Sequence, residues 1–260
     1  SVSWPGMIGV VSGMNEKGIT VTINAAKSDI PLTAKTPISF VSKEIIQYAS
    51  NIDEAIEIAK RREVFVSESI LVGSSSDNKA VIIEMSPEKF GVYDVKNTTE
   101  IVCSNHFQSD AYHNDKNNIK AISESHSKYR FDKMNELLAA SEKMTPEKAV
   151  SILRNKKGLN DLEIGYGNEK ALNQLLAHHG IVFQPSKKLV WVSSNPYVLG
   201  DFVAFQLDSV FNNSTKKSST LSLSSLLIEK DSFVNSDEFK DYEAYRVEKE
   251  KIQHVIQNKE

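Results

Sequence analysis

The sequence predicts an α+β fold, on three observations. Residues 13–24 read as a tight turn feeding a strand with one apolar and one polar face. Three further β-type runs lie between residues 69 and 95, separated by turn-forming residues. Helical periodicity gathers in its own blocks, around residues 42–61 and 119–154, instead of alternating one for one with strands. Helices and antiparallel strands segregated in this way imply α+β layering.

The elements follow in order. Asn15 and Gly18 tolerate the backbone angles of a hairpin turn. Beyond them Ile19, Val21 and Ile23 alternate with Thr20, Thr22 and Asn24, so Asn24 closes the polar row of a strand over 19–24. Residues 7–11 are its expected hairpin partner. Two short helices are expected over 42–49 and 53–61. Ile45, Tyr48 and Ile52 fall near one face, Ala55, Ile56 and Ala59 on another, and Asp53 stands at the N-cap. Strands over 69–74, 80–84 and 90–95 are broken by Ser75-Ser76-Asp77-Asn78 and Ser86-Pro87. A strand over 101–104 leads into an Asn105-His106 turn, and the polar stretch 109–118 reads as a loop. Phe131, Met134, Leu137 and Leu138 repeat at helical spacing within one long helix over 119–140. Thr145-Pro146-Glu147 starts a helix over 148–154, with a capping threonine and a proline in the first turn. Residues 156–168 read as irregular and 170–177 as helical, followed by strands over 181–184, 189–193 and 202–207. A polar linker over 212–219 precedes a charged tail, 236–260, expected to be an amphipathic helix. There is no internal repeat.

A chain of 260 residues with 40% hydrophobic content is long enough to bury a sizeable core. Its formal charge of −3 gives no reason to expect nucleic acid or an anionic membrane as partner. One cysteine rules out an internal disulfide framework. No apolar run approaches the ~18 residues of a transmembrane helix.

Gly13-Met14-Asn15-Glu16-Lys17-Gly18-Ile19-Thr20-Val21-Thr22-Ile23-Asn24, followed much later by Cys103-Ser104-Asn105-His106-Phe107, resembles the acyltransferase/amidohydrolase branch of the N-terminal nucleophile (Ntn) hydrolases. That branch holds penicillin acyltransferase-like autoproteolytic enzymes and is similar to the choloylglycine (bile salt) hydrolases and penicillin V acylases. Ser67-Glu68-Ser69-Ile70-Leu71-Val72 with Ala80-Val81-Ile82-Ile83-Glu84 resembles the family's next hairpin. Ala177-His178-His179-Gly180-Ile181-Val182-Phe183 and Leu189-Val190-Trp191-Val192-Ser193 continue the likeness. The resemblance implies a four-layer αββα sandwich and cleavage or transfer of an acyl group at a linear, non-peptide amide through a covalent acyl-enzyme, with no cofactor. It also implies a nucleophile, usually Cys, exposed by self-cleavage and followed by a supporting arginine and aspartate. Twelve residues precede Gly13, and none is Cys, Arg or Asp. The expectation is therefore one Ntn-hydrolase-like domain over 1–260, incomplete at its N-terminus. A companion segment or chain would supply the nucleophile, and a small-molecule amide would be the substrate.

By the resemblance, Asn105 helps form the oxyanion hole and Asn24 supports substrate or intermediate. Arg130, in Ser127-Lys128-Tyr129-Arg130-Phe131, resembles the family's late site arginine, although it follows Asn105 sooner than in the bile salt hydrolases. His106 is placed beside Asn105 or at the pocket mouth, as a substrate-side residue. Asparagine suits such a site because its amide donates hydrogen bonds without titrating. Cys103 reads instead as an inert hydrophobe inside a strand, Glu84 as structural, and Ser1 as too close to Asn24 to be the nucleophile. His178 and His179, read as neighbours in a strand, would point to opposite faces, and no partner stands at metal-ligand spacing. Two rivals share this sequence. One is a catalytically inactive binding module on the same scaffold. The other is a structural subunit that associates through its charged tail.

Overall fold

The computed structural model describes residues 1–27, 34–212 and 221–257. It is α+β, with one five-stranded and one three-stranded antiparallel sheet and seven α-helices among the described residues. The expected linker over 212–219 falls almost entirely outside the described residues.

The first sheet runs in sequence order: β1 (Ser12–Met14), β2 (Ile19–Ala25), β3 (Glu68–Ser74), β4 (Lys79–Met85) and β5 (Phe90–Tyr93). The β1–β2 turn is set by Asn15. Its Oδ1 accepts from the Lys17 and Ile19 amides, and its Nδ2 donates to the Ile46 and Ala49 carbonyls. Gly18 turns the corner at φ +80°. The hairpin partner is Ser12–Met14 and not 7–11, because Gly9 (φ +119°) bends the chain against Ser39, whose hydroxyl a Cβ at Gly9 would meet at 2.6 Å.

Ile19, Val21, Ile70, Val72, Val81 and Ile83 share the face that packs on helices α1 (Ile38–Tyr48) and α2 (Ile52–Lys60). Each such side chain contributes about 1.5–3 kcal/mol by its removal from water. Ile45, Ala55 and Ala59 are buried as their spacing predicts, whereas Tyr48 is exposed. The cap of α2 is Asn51, whose Oδ1 accepts from Glu54 N; Asp53 lies inside the first turn.

The expected long helix is two helices, α3 (Lys116–Glu124) and α4 (Ser127–Ala139). Ser125 Oγ bonds to the Ala121 carbonyl and accepts from Ser127 N, so hydroxyls replace the helical ladder at the break. The loop expected over 109–118 ends early, with Asp115 capping α3 through Asn118 N. Residues 101–104 pair with no strand among the described residues. Residues 170–177 are not helical, since Asn168 and Asn173 fold back on the Lys170 and Leu175 amides and Leu175 takes φ +53°. Helix α5 (Pro146–Leu153) forms as predicted on its Thr145 cap.

The second sheet orders β6 (Ile181–Gln184), β7 (Leu189–Ser193) and β8 (Phe202–Gln206). Val182, Leu189, Trp191, Phe202 and Ala204 pack on Val150 of α5. The other face, with Phe183, Val190, Val192 and Phe205, packs against Met14 of β1. After β8 come α6 (Leu207–Asn212) and α7 (Asp237–Gln257). The charged tail is helical but not amphipathic in the expected sense. Only Phe239 is buried, and Tyr245, Val247, Ile252, Val255 and Ile256 are all exposed.

Candidate active site

The strand register builds a polar row on the face of the first sheet turned away from its helices. Asn24, Ser69, Glu84 and Gly91 are successive cross-strand partners and so share one side. Ser69 and Glu84 are fully buried. A Cβ at Gly91 would sit 2.2 Å from Ser109 Oγ, so glycine lets the segment 104–109 lie flat on the sheet. Glu84 anchors that segment, accepting from the Gln108 amide at 2.6 Å and the Ser109 amide at 2.9 Å. Burial raises its pKa, and the bonds from Ser109 and Gln108 oppose the rise. Glu84 is thus structural, as the sequence suggested, but it supports the loop that carries Asn105.

The rest of the segment is held as firmly. Asn118 closes a two-bond clamp on Phe107, accepting from its N–H at 2.9 Å and donating to its carbonyl at 3.0 Å. Gln108 Nε2 donates to the Val102 carbonyl. Ser127, fully buried at the start of α4, accepts from Asn105 N at 2.8 Å and lies 2.7 Å from His106 Nδ1. Ser104 Oγ donates to the Ser127 carbonyl at 3.0 Å. Backbone groups that would otherwise move are therefore fixed on both flanks of Asn105.

Asn105 itself reaches back over the end of β2. Its Nδ2 donates to the Ala25 carbonyl at 2.9 Å, and its Oδ1 accepts from Arg130 Nη2 at 2.9 Å. Arg130, half-buried in the first turn of α4, also donates through Nη1 to the Glu169 carbonyl at 2.7 Å. Asn105 and Arg130 are thereby in direct contact, with Asn24 next to Ala25 on the same strand. The guanidinium fixes which end of the Asn105 amide is nitrogen, and one of its two N–H bonds is left beyond the Ala25 carbonyl.

His106 goes elsewhere. It is 5% exposed, its ring meets Phe131 edge-on at 5.3 Å, and burial lowers its pKa. It braces the turn from inside. Cys103 is a poor nucleophile: burial, with the Glu84 charge adding to it, pushes its thiol up to about 12. His178 and His179 lie before β6 and not within it. His178 is exposed against Trp4, while His179 Nε2 is 2.8 Å from Ser12 Oγ. Among the described residues no group of three or more His, Cys, Asp or Glu could hold a metal, and no helix is long and apolar enough to cross a membrane.

Sequence reasoning missed Ser127, Asn118 and Ser12. Serine and asparagine at helix starts and strand edges carry no signal beyond capping, and only the folded chain shows what they hold. The model of the acyl-coenzyme A:6-aminopenicillanic acid acyl-transferase family matches residues 1–195 of the 260. The chain belongs to that family. The family is one of acyltransferases, in agreement with the penicillin acyltransferase-like resemblance. The match takes in β1–β7, α1–α5, Asn24, Asn105, His106, Arg130 and His179. It ends at Asn195, before β8, α6 and α7. A search of curated proteins found no match.

Proposed function

We propose that this acyltransferase-family chain is the larger portion of an Ntn hydrolase that cleaves or transfers an acyl group at a linear, non-peptide amide. A companion segment or chain carries the nucleophile. The observation that carries the reading is Asn105, a neutral amide locked by Ser127, Ala25 and Arg130 over the end of β2.

In the reaction a thiol or hydroxyl adds to the amide carbonyl. The free Asn105 N–H meets the developing oxyanion, the C–N bond breaks, and water or an amine takes the acyl group. Loss of one such preorganised donor costs about 3–4 kcal/mol. Arg130 sets the orientation of Asn105 and presents its remaining N–H groups to an anionic part of the substrate. Asn24 lines the same face, and His106 serves by bracing the turn. No cofactor enters.

The architecture supports this reading. The packing of α1 and α2 on the first sheet, of Met14 on the second sheet and of the second sheet on α5 supports a four-layer αββα sandwich. The inner face of the second sheet extends past the edge strand β1. There Phe183, Val190, Val192, Phe205 and Phe211 line an open apolar cavity of about 340 Å³ beside Gly13 and Met14. Val2 already pairs with Ser12 at the outer edge of β1 and, with Ser1, lines this cavity, so an extended companion would cover that face by adding beyond them.

The test is intact-mass and N-terminal analysis of the protein from its native source. The assembled protein is then incubated with 4-nitrophenyl phenylacetate and acyl adducts are mapped. An acyl group on a companion residue, formed 10²–10³-fold more slowly in Asn105→Ala, is the expected result. Absence of any companion and of any adduct would leave a catalytically inactive binding module on this scaffold.

A further inference from the structure

We propose that the C-terminal segment 231–243, which lies beyond the family match, is a positioning element for Arg130 and Asn105. The inference rests on the acyl-transfer reading above. The C-terminal segment acts through residues 166–175, which contact it on one side and α4 on the other.

On the α4 side the contacts are with Tyr129 and Arg130. Arg130 Nη1 donates to the Glu169 carbonyl at 2.7 Å, while its Nη2 holds Asn105 Oδ1 at 2.9 Å. Lys170 Nζ stands 5.2 Å from the centre of the Tyr129 ring. The Glu169 carbonyl is itself fixed, because Gln174 Nε2 also donates to it, at 3.2 Å. Asn168 sets the turn around it, its Oδ1 accepting from Lys170 N and its carbonyl from Ala171 N, both at 2.9 Å. An arginine side chain carries much rotamer freedom. A fixed acceptor on one side of the guanidinium therefore sets where the other side meets Asn105.

On the far side the same residues rest on the C-terminal segment. Tyr166 stacks on Phe233 with ring centres 4.4 Å apart, and its hydroxyl donates to Asp231 Oδ2 at 3.2 Å. Lys156 Nζ lies 4.8 Å from the Tyr166 ring centre and 5.7 Å from that of Phe233. Leu175 and Leu199 are buried against Phe239 of α7, and Tyr197 beside them donates to Glu243 at 2.7 Å. From Ala244 to Gln257 the helix is exposed, so its packing is confined to its start, against residues 166–175 and 197–199. Residues 166–175 are in neither helix nor strand. With no ladder of their own to hold them, a void left at Phe239 is one they fill by moving, and the Glu169 carbonyl moves with them.

Side-chain amide NMR of the assembled protein, with Asn105 assigned through Asn105→Ala, tests this. Phe239→Ala should shift the Asn105 resonances, and Phe239→Leu, which refills most of the gap, should return them. Tyr166→Phe loses only the bond to Asp231 and leaves no gap, so it should fold and shift them in the same sense by less. Val150→Ala truncates a residue of similar burial on α5 and controls for lost stability alone, so Asn105 should stay in place. Acylation is then read with 4-nitrophenyl phenylacetate, an uncharged ester that makes no demand on the Arg130 charge. Its kcat should fall by up to about 100-fold in Phe239→Ala, with KM little changed and Val150→Ala at the wild-type rate. Asn105 resonances unmoved in both Phe239→Ala and Tyr166→Phe, or moved as far by Val150→Ala, overturn the positioning role whatever the activity. If Asn105→Ala acylates slowly and Phe239→Ala at the wild-type rate, the inference fails while the acyl-transfer reading stands. If the wild type forms no acyl-enzyme, both fail.

Discussion

On the helix side of the five-stranded sheet, Ile19, Val21, Ile70, Val72, Val81 and Ile83 are buried against α1 and α2. On the opposite side, Asn24, Ser69 and Glu84 form a row against which the segment 104–109 is pinned by hydrogen bonds. One face is held by apolar area, which is additive and indifferent to direction. The other, where Met14 and Ile82 are also buried, is held around Asn105 by donors and acceptors that hold only in one geometry. The helix face therefore supplies stability, and the inner face supplies position.

Truncating the helix face should have the largest effect. Ile83→Ala should destabilise the fold by about 2–5 kcal/mol, measured by denaturant unfolding, with the Asn105 side-chain amide resonances unmoved. If those resonances shift as strongly as the stability falls, the two faces are not separable. Ser127→Ala should cost less, about 1–3 kcal/mol, because it leaves Asn105 N and His106 Nδ1 without their shared hydroxyl. Here the Asn105 amide should shift clearly. An unchanged spectrum would remove Ser127 from the positioning of Asn105.

Glu68 blurs the comparison, being a carboxyl at the end of the helix-facing row, opposite Ala25 and Met85. Burial raises it from an ordinary 4.5 to about 7. The folded protein then holds this proton more tightly than the unfolded chain does. Its contribution to stability is present at low pH and is lost as pH rises through about 4.5 to about 7. The melting temperature of the wild type relative to Glu68→Gln should fall across that window, and a rise would contradict the assignment. The smallest effect belongs to the cap of α5, remote from both faces. Thr145→Ala should cost about 1 kcal/mol and leave the acylation rate untouched.

Much of this was legible in the sequence, and the reason is local. The β2 alternation, the Thr145-Pro146 helix start and the runs that became β3, β4, β6 and β7 depend on residues a few positions apart. The strands expected over 7–11 and 101–104 and the helices over 119–140 and 170–177 were misread. There Gly9, Ser125 and Asn173 obey contacts or turns that compete with periodicity. Asn24, Asn105 and Arg130 could be nominated from resemblance. That Arg130 grips the Asn105 oxygen, that His106 turns inward and that His179 meets Ser12 could not.

By itself the sequence determined the alternation of apolar and polar faces and the turn and cap chemistry, because each is written in short-range spacing, while the family came from resemblance over motifs in order along the chain. Tertiary structure decided which polar groups meet. A hydrogen bond between residues 25, 80 or 167 positions apart depends on how strands register and sheets stack, and burial then selects which of the meeting groups must be satisfied.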